Sequence, residues 1–213
     1  MKVIGIAFSD LHLGEYSKFN EDNKRTLNHI RVLYLIKDLC IKYKCPAFFC
    51  GDFMHRPEFI STSLDEIIIE QFEELNRCEE FNIYGISGNH DLQKSNTIER
   101  RSSSHWANLC RRYSFLHNID FSYHDFGKFR VVGIPYIDHN KGLDSLIKAE
   151  LKGAMLKPTI LLLHTDYPGA KDTDNTEVGT VENLNVNLLT KFKLVLIGHI
   201  PVSYTHLTLP TTE

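Results

Sequence analysis

Five short patterns, spread over almost the whole chain, each place a metal-ligating type of side chain directly after an apolar run of strand length. Asp10-Leu11-His12 follows residues 3–8, Gly51-Asp52 follows 47–50, and Gly88-Asn89-His90-Asp91 follows 83–86. His164 follows 159–163, and Gly198-His199 follows 194–197. Carboxylate, amide oxygen and imidazole are the donors that hard and borderline divalent ions take, and a sheet delivering all of them at its strand ends can close a two-metal cage. Any fold for this chain has to bring these strand ends to one place.

The segments between the strands read as helices. Leu27, Ile30, Leu33, Tyr34, Ile36 and Leu39 form a broad apolar face that Pro46 brings to an end. Ser63-Leu64-Asp65-Glu66 has the form of a capping box, followed by Ile67, Ile68, Phe72 and Leu75 at helical spacing. Trp106 and Leu109 anchor a further helix, with Trp106 read as core. Strand–helix–strand alternation favours parallel strands joined by right-handed crossovers, with ligands gathered beyond the carboxyl ends of the strands. Later, 121–126 and 129–134 meet at Gly127-Lys128 and read as a hairpin. Residues 166–181 form a polar loop longer than a mere connection, expected to overhang the site, and 181–189 a short helix.

Composition narrows the functional classes. At 213 residues the chain can bury a sizeable core, and its net charge of −3 excludes a protein that coats nucleic acid by overall basicity, so any such contact must be local. Five cysteines, none paired as Cys-x-x-Cys, argue against a disulfide framework and a zinc knuckle. The amino terminus enters a strand pattern without the regions of a signal peptide, and no apolar run spans a membrane, so a cytoplasmic protein is expected.

The ordered set Asp-x-His, Gly-Asp, Gly-Asn-His-Asp, His and Gly-His resembles the calcineurin-like metallophosphoesterase superfamily over nearly all of residues 1–200. The resemblance implies an α/β fold, a four-layer sandwich of two mixed sheets flanked by helices. It implies two divalent metal ions, with Asp10, His12 and Asp52 holding one, Asp52 bridging, and Asn89, His164 and His199 completing the other. It places His90 next to the scissile phosphate, and Asp91 is expected to hold that imidazole in one orientation. The chemistry accounts for these residue types independently: a phosphodiester is anionic and repels hydroxide, so hydrolysis needs concentrated positive charge beside a group that can protonate the leaving oxygen. Imidazole mixed with carboxylate suits manganese, iron or zinc, and manganese is the expected ion.

Two details resemble the DNA repair nucleases of the SbcD type and the related bacteriophage recombination nuclease subunits. Gly51-Asp52-Phe53-Met54-His55 puts an additional histidine three residues past the bridging aspartate, and Gly133-Ile134-Pro135-Tyr136 matches their Gly-x-Pro-Tyr segment. That resemblance implies a role for His55 in handling the strand, DNA as substrate, a coiled-coil ATPase of the SbcC type as partner, and a homodimer in the full-length protein. Arg56, Arg100 and Arg101 are candidates for phosphate contacts, a solvated helix face being the alternative for Arg100 and Arg101. The rival readings are a cyclic-nucleotide or small-molecule phosphodiesterase, a phosphoprotein phosphatase, and a scaffold that kept the fold and lost the chemistry.

One departure stands out. The family's last motif, Gly-His-x-His, reads Gly198-His199-Ile200-Pro201, so the second histidine is replaced by a proline, which cannot ligate. Residues 201–213 resemble translated adapter sequence, and the expectation is a nuclease domain over 1–200, truncated at its carboxyl end, with a non-native tail.

Overall fold

The structure, a computed structural model, describes residues 2–14, 24–55, 61–92, 104–137, 142–154, 156–167 and 184–199. Two four-stranded sheets stand between helices, the α/β sandwich expected. In the first sheet β1 (Ile6–Phe8), β2 (Ala47–Phe49), β3 (Ile83–Gly85) and β4 (Leu116–Asn118) lie side by side in chain order, with Ile6, Ala47, Ile83 and Leu116 in register. Every pairing in it is parallel, so only the second sheet is mixed. There β5 (Ser122–Asp125) runs antiparallel to β6 (Arg130–Ile134), while β7 (Thr159–His164) and β8 (Leu194–Gly198) continue parallel to β6. The hairpin turns at Gly127, whose φ of 79° suits glycine and whose N–H donates to Asp125 Oδ1 at 2.7 Å.

Helices α1 (Lys24–Tyr43), α2 (Thr62–Asn76) and α3 (His105–Arg112) cover the outer face of the first sheet. Helices α4 (Leu143–Ala154) and α5 (Val186–Leu189) cover the second. The alternation of strand side chains explains the layers. Ala47 and Phe49 of β2 face the helices, whereas Phe48 and Cys50, with Ile86 beyond β3, face the other sheet, where Val131, Ile160 and Leu162 meet them. On β7, Leu161 and Leu163 turn outward to α4 and α5. Trp106 is completely buried against Phe49 and Phe53 and donates its indole N–H to the Gly85 carbonyl at 3.0 Å, as core rather than as a stacking platform.

Several details differ from expectation. α1 stops at Tyr43 because Lys44 adopts φ 51° and the Cys45 N–H returns to the Cys40 carbonyl, an αL closure made before Pro46 is reached. The N-cap position of α2 is Ser61, two residues before the expected box and without a side-chain cap bond: Ser63 already lies in the helix, and the Asp65 N–H bonds the Ser61 carbonyl. β4 and α4 had no expectation attached. The short helix begins at Val186, and the polar loop, apart from Asp166 and Tyr167, lies outside the described residues. Among the described residues no helix is long and apolar enough to cross a membrane.

Candidate metal centre

Parallel register places β1, β2 and β3 side by side with their exits on one edge, and β7 and β8 do the same in the second sheet, where His164 pairs with Gly198. Backbone bonds continue past the strands: Asp10 N–H to Gly51 O at 2.9 Å, His12 N–H to Asp52 O at 3.0 Å, and Leu13 N–H to Phe53 O at 2.8 Å. The first two loops therefore leave the sheet as a paired ribbon carrying Asp10, His12, Asp52 and His55.

The backbone is held out of its easy conformations where the candidate ligands sit. Asp10 (φ 53°), His12 (47°), Asp52 (62°) and His199 (115°) all have positive φ, a region that side chains disfavour and that folded proteins concentrate at functional sites. Gly88 is required for a different reason from the tight turn expected of it. A Cβ there would run into the Asp52 carboxylate and backbone nitrogen, so glycine is what lets the third loop close on the second.

Asp52 is the hub. Its carboxylate is buried, Oδ1 accepts from the His90 N–H at 2.8 Å, and Oδ2 lies 3.4 Å from His164 Nε2 and 3.7 Å from His12 Nε2. His164 Nδ1 lies 2.6 Å from the Cys50 carbonyl, which can only accept, so that nitrogen carries a proton and donates it. Its other nitrogen, Nε2, faces Asn89 Oδ1 at 2.9 Å and His199 Nδ1 at 3.2 Å, and His199 Nδ1 is in turn 2.9 Å from Asn89 Oδ1. Three atoms that ordinarily offer lone pairs thus converge at the spacing of ligands around one ion, since donors about 2.1 Å from a shared centre stand about 3.0–3.4 Å apart. Across Asp52, Asp10 Oδ1 is buried without a hydrogen-bond partner while its Oδ2 accepts from the His199 N–H at 3.3 Å. Such an orphaned oxygen is costly unless a cation meets it.

These donors fit two divalent ions. Asp10, His12 and Asp52 form one group and Asp52, His164 and His199 another, with Asn89 beside the second and Asp52 common to both. The electrostatics agree with ligation. Burial raises the Asp52 carboxyl, but hydrogen bonding and charge from His164 outweigh it and the net shift is downward, favouring the carboxylate. Burial lowers His164, yet Asp52 overcomes that and the net shift is upward from 6.5. In the metal-free protein a proton therefore persists on His164 above that pH, and an entering ion must displace it. The affinity for a divalent ion is expected to climb by up to about tenfold per pH unit through 6.5 and above, then level off. Calorimetry in buffers of different ionisation enthalpy checks this, since the proton released on binding should vanish at high pH.

Asp91 is not where the sequence reading put it. Its carboxylate is completely buried and accepts from the backbone N–H groups of Asp52 (2.9 Å), Phe53 (3.0 Å), Met54 (3.2 Å) and Gly88 (2.9 Å), bolting the third loop to the second rather than orienting the His90 ring. Backbone amides that would otherwise be orphaned at the loop outcompete a neighbouring imidazole for a buried acceptor. Burial pushes this carboxyl up to about 7, opposed by the amide hydrogen bonds. His90 is instead flanked by two rings, that of His12 edge-on at 4.8 Å and that of His55 stacked at 5.6 Å. Arg56, Arg100, Arg101 and Pro201 lie outside the described residues.

Two features were missed in the sequence. Asp166 places Oδ1 3.0 Å from His199 Nε2, so a carboxylate orients this ring with Nδ1 toward Asn89, the arrangement in which an outer carboxylate fixes a ligating histidine. Its position two residues past the strand-end His164, mirroring the Asp10–His12 spacing, was the available signal. Asp120 grips Ser87, accepting from its N–H at 2.8 Å and its hydroxyl at 2.6 Å, and so steadies the backbone just before Gly88. Tyr136, of the Gly-x-Pro-Tyr segment, donates its N–H to the Ser87 carbonyl and brings its ring to 5.9 Å from that of His199.

Among solved structures, the nuclease MPE of Pseudomonas putida is similar at 13% identity over 77% of this chain and 62% of that one, with a TM-score of 0.40. A Staphylococcus aureus protein provisionally described as a 5′-nucleotidase, in complex with alpha-ketoglutarate, is similar at 15% identity over 92% of this chain, with a TM-score of 0.51; the likeness is one of fold. The chain spans 62% and 44% of the lengths of these two proteins. No functionally curated protein matches. The family model described as calcineurin-like phosphoesterase matches residues 6–203, and the chain belongs to the calcineurin-like phosphoesterase family.

Proposed function

We propose that the chain is a metal-dependent phosphodiesterase that hydrolyses DNA phosphodiester bonds, as the nuclease subunit of an SbcD-like repair or recombination complex with a coiled-coil ATPase, and that manganese is its ion. The observation that carries this reading is His55: the additional histidine of the second motif, half-exposed, stacks on His90 and meets the edge of His12 at 5.7 Å. A site for a small phosphate monoester has no evident need of a second imidazole there. A polymeric diester carries chain on both sides of the scissile phosphate, so a polar ring beside the one that protonates the leaving oxygen has strand to contact.

When bound, two divalent ions supply the positive charge that gathers the phosphate, acidifies water and stabilises the departing oxygen. Asp10, His12, Asp52, Asn89, His164 and His199 would hold them. The rest falls to the chain. His90, fixed through its own N–H on Asp52 and through the His55 ring, hands a proton to the leaving oxygen. His55 contacts the strand beside it. Tyr136 walls the side nearest His199.

Turnover measured side by side on single-stranded DNA, duplex ends, a cyclic nucleotide and a phosphopeptide tests the substrate class. Manganese-dependent DNA cleavage with slow action on the others is the expected result; fast cyclic-nucleotide or phosphopeptide hydrolysis without DNA cleavage overturns it. In the same assay His90→Asn is expected to keep its metal content and lose roughly 10²- to 10⁴-fold in turnover. If metal is lost with activity, His90 is a ligand instead.

A further inference from the structure

The imidazoles of His12, His55 and His90 form a cluster of which the two-metal arrangement uses only His12. One ring nitrogen from each lies within 4.8 Å of the others, and all three side chains are half-exposed. Their backbones are fixed independently of any ligand: the His12 N–H bonds Asp52 O, the His55 N–H bonds Leu13 O at 2.8 Å, and the His90 N–H bonds Asp52 Oδ1. Gly14 allows this proximity, because a Cβ on it would strike the His55 carbonyl. Closing from 4.8 Å to the roughly 3.4 Å edge of a tetrahedral site takes only small side-chain rotations.

We propose that His12, His55 and His90 make a third, all-imidazole metal position, overlapping the Asp10–His12–Asp52 position at His12, and that zinc or copper occupies it in preference to manganese. The two overlapping sets differ in chemistry. Asp10, His12 and Asp52 offer two carboxylates and one imidazole, a set for manganese; three neutral imidazoles are the set that zinc and copper favour. His12 can serve only one at a time. The identity of the ion therefore decides where it sits, and an ion among the histidines withdraws His55 and His90 from the strand. That inhibitory consequence rests on the role proposed above for these two residues; the metal position itself does not.

Copper is the probe, because nitrogen hyperfine structure in its electron paramagnetic resonance spectrum counts bound imidazoles. In the whole chain, metal-free and given one equivalent of copper, three nitrogens are expected, against two for a copper held by Asp52, His164 and His199. His55→Gln and His90→Gln should each remove one nitrogen and weaken copper and zinc binding at least about tenfold, while manganese affinity changes less than about twofold. Asp10→Asn should do the reverse. Unchanged nitrogen count and zinc affinity in both histidine variants overturns the proposal, as does equal loss of manganese. Both variants alter half-exposed side chains, and circular dichroism verifies that they are folded. Failure of the nuclease reading would register separately, as absence of manganese-dependent DNA turnover with this metal-binding pattern intact.

Discussion

Asp52→Asn is expected to leave the chain unable to hold a pair of ions and to lower turnover by roughly 10³-fold or more, the equivalent of several kcal/mol of lost electrostatic stabilisation. Asp52 is the only carboxylate common to both donor groups, and its Oδ2 stands between His12 and His164. The amide keeps an oxygen for the His90 N–H, so the third loop stays closed. What it presents to the two imidazoles is then an NH2 group with no charge and no lone pair for an ion. Metal analysis after dialysis, with turnover on DNA, checks the expectation. Two tightly held ions in the variant would remove Asp52 from the bridging position.

The second large effect concerns stability. Asp91→Ala removes the acceptor of four backbone amides at the junction of the second and third loops, each of which costs about 1–3 kcal/mol if left buried and unbonded. Relaxation of the loops and relief from burying a carboxylate recover part of this, so a net loss of about 3–5 kcal/mol is expected, a large share of the roughly 5–15 kcal/mol that holds a domain folded. Urea unfolding of the metal-free proteins measures it. Asp91→Asn should fall between, since one of its two acceptor positions becomes a donor facing donors. Parent-like stability in the alanine variant, with turnover alone reduced, would return Asp91 to the role of orienting His90. That role is the one the sequence reading assigned, and neighbours in sequence are the natural partners to propose for one another.

The layers of this fold were legible because hydrophobic periodicity is a local property. Phe48 and Phe49 had to face opposite ways, Ile30, Leu33 and Ile36 had to share a helix face, and strand–helix–strand alternation implied parallel strands with a common exit edge. β4 escaped notice because Leu116-His117-Asn118 is too short and too polar to carry a period. α4 escaped because Leu143, Ile147 and Leu151 are marked as a face only once β6 and β7 give them something to cover.

The donor types and their places at strand ends were determined by the sequence itself: Asp10, His12, Asp52, Asn89, His164 and His199 could be named because each follows a strand, and strands have ends whatever they pack against. Only the tertiary structure decided what each donor faces. Asp91 went to amides brought in from the second loop, Asp166 came to His199 from beyond β7, and His55 met His90 across the paired loops. These contacts join residues 33 or more positions apart in the chain, as Asp166 and His199 are. A hydrogen bond or ring contact at that separation depends on distances of a few ångström that local propensity does not encode, and competition among buried donors for the nearest acceptor is settled only when the sheets have closed.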